Sequence, residues 1–316
     1  MGLQADNEEP GHDLEVAIAH LEQAVRLSPG NARYSGLLGE AWLLRGDPEA
    51  GLAPLQSSLQ QEPHPRIASL MAFALLRLDR PAEAAQVATM ALGETSAFHR
   101  GHFLRAEART ATGDVAGAIE DLRQAISLAP SSEPYRLRLA THLVDRARAG
   151  DHGSLVEARE VLDSMDAPRE ARAWRYLRGC VLVELGEPDA ALLAFDNLSW
   201  PTASEVALRR AYALVQLERR DEAVLALQEA RVDPTLTVEA DRVVAELNSK
   251  ASPIRAAPMT ELVTAIVVDA TQVLASEDDQ DESAAEMELL QSSPEGDLDS
   301  ASHIKDLSDE DPDDAA

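Results

Sequence analysis

Gly113–Pro130, GDVAGAIEDLRQAISLAP, opens on a turn dipeptide, Gly113-Asp114, places Ala118, Leu122, Ala125 and Leu128 on one helical stripe, and stops at Pro130. Small side chains at Ala118 and Ala125 let a neighbouring helix approach closely, and Leu122 fills the space between them. The same small residue recurs at Ala17, Gly51, Ala84, Ala158, Ala191 and Ala223, at intervals of 32 to 40 residues. Four positions after each small residue, Ala118 included, stands Leu21, Leu55, Ala88, Leu122, Leu162, Phe195 or Leu227. A solitary amphipathic helix would not repeat in this way.

All but the first of these copies follow a second helical segment with its own small residue, at Gly39, Ala72, Ala106, Ala140, Gly179 and Ala211. The unit is therefore a helix pair. Its fullest form runs through Ser35, Leu38-Gly39 and Trp42, then Gly46-Asp47-Pro48, Gly51, Leu55, Ser58 and Pro63. In spacing and residue type it resembles the tetratricopeptide repeat. The resemblance covers roughly residues 13–236 and implies an all-α, right-handed α-solenoid of antiparallel pairs, about six repeats plus a leading half repeat. Three residues depart from the pattern: Arg105 and Arg109 stand where apolar groups are usual, and Ala88 where a bulky one is usual.

Along the chain, residues 1–12 are a polar lead-in and 13–249 are read as the solenoid with a terminal capping helix at Val238–Leu247. Asp13–Leu27 reads as only the second helix of a pair. A natural cap, lost upstream residues, and completion by another protein's helix all account for it. Between Ala140 and Ala158 the fourth pair carries about six extra residues around Arg146–Gly153, read as a loop, either tolerated or touching a partner. Residues 250–258 are a linker, and 259–275 an isolated amphipathic helix with Leu262, Val263, Ile266, Val267, Ala270, Val273 and Leu274 on its apolar side. That helix is expected to dock, on its own array or on a partner. Residues 276–316 are an acidic tail of the composition that stays disordered, with apolar islands at Met287–Leu290 and at Ile304 and Leu307.

Composition limits the function classes. The 316 residues are 45% hydrophobic but only 3% aromatic, which suits helix stacking through Leu, Val and Ala. Residues 277–316 hold 16 acidic groups and one Lys, a net of −15 out of −28 for the chain, leaving −13 for residues 1–276. Such a balance argues against binding nucleic-acid backbones or anionic membranes, which need clustered cations. Basic residues are 26 Arg against Lys250 and Lys305, the usage of a GC-rich bacterial genome. No basic-then-apolar leader opens the chain, and no apolar run approaches the roughly 18 residues of a membrane span, so the expected location is cytoplasmic.

Catalytic signatures are missing: no Walker loop, no GxGxxG opening a helix, no GxSxG and no HExxH. His99 and His102 share a helical turn without a third ligand nearby, and the lone Cys180 reads as a small core hydrophobe. The expectation is therefore no enzyme, cofactor or metal, and a function in binding protein. In the family that the chain resembles, the first helices line a concave groove. That resemblance puts Leu43, Phe73, Leu76, Phe103, Leu137, Val144, Tyr176, Val183, Leu208 and Val215 on or near the groove. Members that clamp chaperone C-termini use Lys and Asn there. This array has no Lys before Lys250, and Asn31, Asn197 and Asn248 lie outside the groove helices, which disfavours a co-chaperone role.

Three functions follow. The first is a scaffold or assembly factor in a multiprotein complex, capturing an apolar or amphipathic partner segment. The second is an acidic chaperone or mimic shielding a basic protein through the tail, and the third a regulatory subunit of an enzyme.

Overall fold

The computed structural model describes residues 10–94, 97–165, 171–199 and 201–249. The linker, the 259–275 segment and the acidic tail lie outside the described residues, as does most of the lead-in. Among the described residues every regular element is helical. α1 (Pro10–Leu27) is followed by six pairs: α2 (Ala32–Leu44) with α3 (Pro48–Gln61), α4 (Pro65–Arg77) with α5 (Pro81–Glu94), α6 (His99–Ala111) with α7 (Val115–Leu128), α8 (Glu133–Arg148) with α9 (Gly153–Asp163), α10 (Ala171–Glu184) with α11 (Pro188–Phe195), and α12 (Ala203–Gln216) with α13 (Arg220–Ala230). A short 3₁₀ turn at Pro234–Leu236 leads into α14 (Thr237–Ser249). This is the α-solenoid of helix pairs that the repeat spacing predicts, with its leading half repeat and closing helix.

Each pair forms for local reasons. Asp47 and Asp114 cap α3 and α7 by accepting from the amides of Ala50 at 3.1 Å and Gly117 at 3.0 Å, satisfying donors the helix leaves open. Just before each such start the chain turns through a left-handed residue. Glycine serves at Gly46, Gly113, Gly150 and Gly186, while Asp79 and Glu218 adopt the same strained conformation in the two pairs that lack it.

Packing follows the predicted stripe. Ala118, Leu122 and Ala125 are all buried, whereas Leu128, at the fraying end of α7, stands 39% exposed and Ile119 is buried in the core instead. The small residues of α3, α5, α7, α9, α11 and α13 are fully enclosed; Ala17 of α1 is only half-buried. Ile18 and Leu21 of α1 pack instead with Leu37, Leu38 and Ala41 of α2. At the other end Ala240 and Val243 bury α14 against the array.

The extra residues of the fourth pair do not loop out. They lengthen α8 by three residues relative to α6 and start α9 two residues earlier relative to its small residue than α7, leaving one for the turn around Gly150. A longer helix satisfies its own backbone groups, which a six-residue surface loop would leave to water. The consequence is an additional turn at the end of α8, carrying Arg148 to within 3.0 Å of Glu184 of α10.

α2 packs on α4, α4 on α6, α8 on α10 and α10 on α12, while the second helices pack chiefly on first helices. The first helices therefore share the inner side of the stack.

Candidate protein-binding face

Polar clasps join successive first helices at about one repeat of sequence separation. Arg66 of α4 donates to both Glu40 oxygens of α2, at 2.6 and 2.8 Å. His99 of α6 meets the Tyr135 hydroxyl of α8 at 2.8 Å, and Nε of Arg138 donates to Glu107 at 2.6 Å. His142 lies 3.1 Å from the Thr110 hydroxyl, and Arg148 donates to Glu184 of α10 at 3.0 Å. Further along, Tyr176 of α10 donates to Glu205 of α12 at 2.6 Å, a carboxylate that also holds Arg209 at 2.8 Å. Gln216 donates to the Val183 carbonyl, and Tyr212 reaches Glu239 of α14. Charge-assisted pairs of this kind, largely shielded from water, fix geometry more than they add stability.

This ladder corrects the expected groove. Leu43, Phe73, Phe103, Leu137, Val144, Tyr176, Val183 and Leu208 are all buried, so their side chains are core and present no surface to a partner. Side-by-side packing of the first helices is the reason: apolar groups at these positions fill the inter-helix space, as the Phe103–Tyr135 ring stack at 4.8 Å shows. Leu76 and Val215 alone among the ten stay half-buried, near the C-terminal ends of α4 and α12. The matching place in α2 is held by Leu43, which is buried, while its neighbour Leu44, the last residue of that helix, is 56% exposed. The 259–275 residues assigned to docking lie outside the described residues.

The polar clasps were missed in the sequence because each member, taken singly, is a charge on a helix of the kind that normally faces water. A signal was present in the recurrence of opposite charges one repeat apart, as in Glu40 with Arg66 and Glu107 with Arg138.

The two misplaced arginines find their cause in the motif itself. Asp121, within Gly113–Pro130, is 2% exposed and accepts from Arg105 at 2.6 and 2.9 Å and from Arg109 at 2.7 Å, with His102 at 3.4 Å. Where other pairs use apolar contact, α6 and α7 use a buried carboxylate with two cations. His99 and His102 thus serve Tyr135 and Asp121 respectively. Cys180 is buried, and burial pushes its thiol up to about 11, away from the thiolate needed for chemistry.

Burial lowers the His142 pKa to about 4, helped by the neighbouring Arg138. Its folded pKa lies below the unfolded value of about 6.5, so the contribution is complete above pH 6.5 and is lost as pH falls from there towards 4. We expect a loss of about 2 kcal/mol between pH 7 and pH 5, measured by chemical unfolding, with a flatter profile in His142→Gln. An unchanged slope in that variant would show that His142 is not the titrating group. Asp145 shifts upward, because burial outweighs the attraction of Arg148, Arg209 and Arg138.

Known proteins place this architecture. Residues 12–72 and 70–133 each match a family described as Tetratricopeptide repeat. The structure of a tetratricopeptide repeat protein from Parabacteroides merdae superposes with a TM-score of 0.50 at 18% identity, over 70% of this chain and 87% of that one. A chain of the APC/C hetero-tetramer Cut9–Hcn1 superposes with a TM-score of 0.53 at 15% identity. That match covers 74% of this chain but 46% of the other, so the present chain spans about half of that neighbour. No curated protein matches. Paired helices crossing at small residues define an α-solenoid of the protein-interaction class. The two matches identify tetratricopeptide repeats within residues 12–133, and the helix pairs that follow continue the same solenoid architecture. Among the described residues no helix is long and apolar enough to cross a membrane.

Proposed function

We propose that this protein is a non-catalytic scaffold that captures an amphipathic segment of a partner protein on the inner face of its first helices. The observation that carries this reading is the combination of a clasped polar face with apolar side chains left open in the last turns of first helices, at Leu44, Leu76 and Val215. Polar groups on such a face orient a segment, and the open apolar groups supply its anchors. A pre-formed face also spares the ordering cost that weakens flexible binders.

The test is capture by the full chain, followed by affinity measurement with Leu44→Glu combined with Leu76→Glu. We expect at least a tenfold loss of affinity, about 1.4 kcal/mol, with an unchanged melting temperature. Normal affinity in the folded double variant would refute the assignment of the face.

The acidic composition of residues 277–316, net −15, favours a second reading in which the tail shields a basic protein. Ionic strength separates the two: tail binding collapses as salt rises through physiological values, whereas a desolvated inner-face contact changes little.

A further inference from the structure

Among the described residues the array opens on a second helix, α1, and ends on a first one, α14. α14 keeps the register of a first helix: it starts eight residues before Ala245, as α10 and α12 start eight before Gly179 and Ala211. Its Glu239 takes the Tyr212 hydroxyl from the position that Arg66 uses to reach Glu40. In all six pairs the small residue of the first helix is buried, because its own second helix closes over it; a Cβ on Gly39 meets Leu55 of α3, and one on Gly179 meets Phe195 of α11. Ala245 is exposed instead, and Val238 on the same side is 81% exposed. α1 is the complementary case. It ends ten residues after Ala17, as α3, α5 and α7 end ten after Gly51, Ala84 and Ala118, and so holds the place of a second helix. Ala17 is half-buried where its six counterparts are enclosed, and Val16 and His20 beside it are exposed.

A helix open to a second member and a helix open to a first are complementary, and one chain carries both. We propose that copies of this protein stack head to tail, α1 of one copy serving as the second helix to α14 of its neighbour. Charges at the junction match those inside the array. Counted from the small residues, Asp241 of α14 and His20 of α1 stand where His102 of α6 and Asp121 of α7 meet at 3.4 Å, with the two residue types exchanged. One step further, α2 of the added copy follows α14 as one first helix follows another. Glu246 and Arg33 then occupy the places of Glu40 and Arg66, which clasp α2 to α4 at 2.6 and 2.8 Å. Both carboxylates are held by arginines of their own end, Asp241 by Arg231 and Glu246 by Arg242. Ala245 meets Ala17 and Leu21, the small and bulky set of the other pairs. Because the two surfaces are different patches of one molecule, the contact is heterologous: each addition leaves a new α14 open, and growth is not limited to a dimer. Stacked copies also continue the line of first helices from one copy to the next.

The test is sedimentation of the full chain from micromolar to millimolar concentration. Each copy carries a net charge of −28, so the salt is physiological or higher, where repulsion is screened beyond about 8 Å. We expect the average mass to rise with concentration past that of a dimer. Ala245→Arg blocks the α14 end, and Val16→Glu with His20→Glu blocks the α1 end; all three residues are exposed, so both variants keep the helicity and melting temperature of the parent. Each blocked variant should stay monomeric, and an equal mixture of the two should stop at a dimer. Arg33→Glu should weaken association about tenfold, and Arg33→Glu with Glu246→Arg should restore most of it. Assembly that survives both blocked variants, a mixture that fails to pair, or a charge reversal without rescue overturns the proposal. A parent that stops at a dimer, or stays monomeric at every concentration, overturns it as well. If Ile266→Glu in the full chain then releases assembly from a monomeric parent, the cover of α14 is the chain's own 259–275 segment instead.

Discussion

Glu205→Ala is expected to destabilise the C-terminal half of the array by about 3 to 5 kcal/mol, the cost of leaving a buried charge without its partner. Arg209 is 4% exposed and Glu205 1% in their side chains, and the Tyr176 hydroxyl donates to the same carboxylate. Removing the carboxylate takes away the acceptor that the guanidinium and the phenol share, in a space closed to bulk water. Replacing the pair together, Glu205→Leu with Arg209→Met, removes the charge as well as its partner and should recover most of the loss. Because repeats unfold as coupled neighbours rather than as one unit, the readout is hydrogen exchange in α10 and α12 alongside thermal melting. A single variant costing under about 1 kcal/mol would mean that water or another group compensates Arg209.

The second large effect is steric. A Cβ placed on Gly179 would sit 2.4 Å from the Phe195 ring, far inside contact distance. Alanine gains about 1 kcal/mol over glycine in helix propensity, so a net destabilisation of about 2 kcal/mol in Gly179→Ala would report the overpacking directly. The same register elsewhere sets Ala106, Ala140 and Ala211 against Leu122, Leu162 and Leu227, the combination that tolerates a methyl group. Phe195→Leu should therefore destabilise the parent chain by opening a cavity but stabilise the Gly179→Ala variant. Equal effects of Phe195→Leu in both backgrounds would contradict this contact.

These two cases mark what was legible. Small residues at fixed intervals identify the helix crossings because close approach favours Gly or Ala, and this constraint carried the fold, while Gly-Asp and Pro signals marked the pair boundaries and the apolar side of Val243, Val244 and Leu247 marked α14. The face was harder to read. Phe103 and Tyr176 occur at the spacing that a groove position and a core position share, and helical periodicity cannot separate the two sides of a helix that is covered on both. Arg105 and Arg109 looked like degeneracy of the repeat because their partner, Asp121, belongs to the next helix. Arg148 owes its place to three added residues of α8, which insertion counting assigned to a loop.

The account turns on the partner meeting the first helices. Hydrogen exchange of the full chain, measured with and without its captured partner, tests that most directly. The account predicts slowed exchange in the last turns of α2, α4 and α12, which carry Leu44, Leu76 and Val215, with little change in α3, α5 and α9. Protection confined to the second helices, or to residues 276–316 alone, would contradict it.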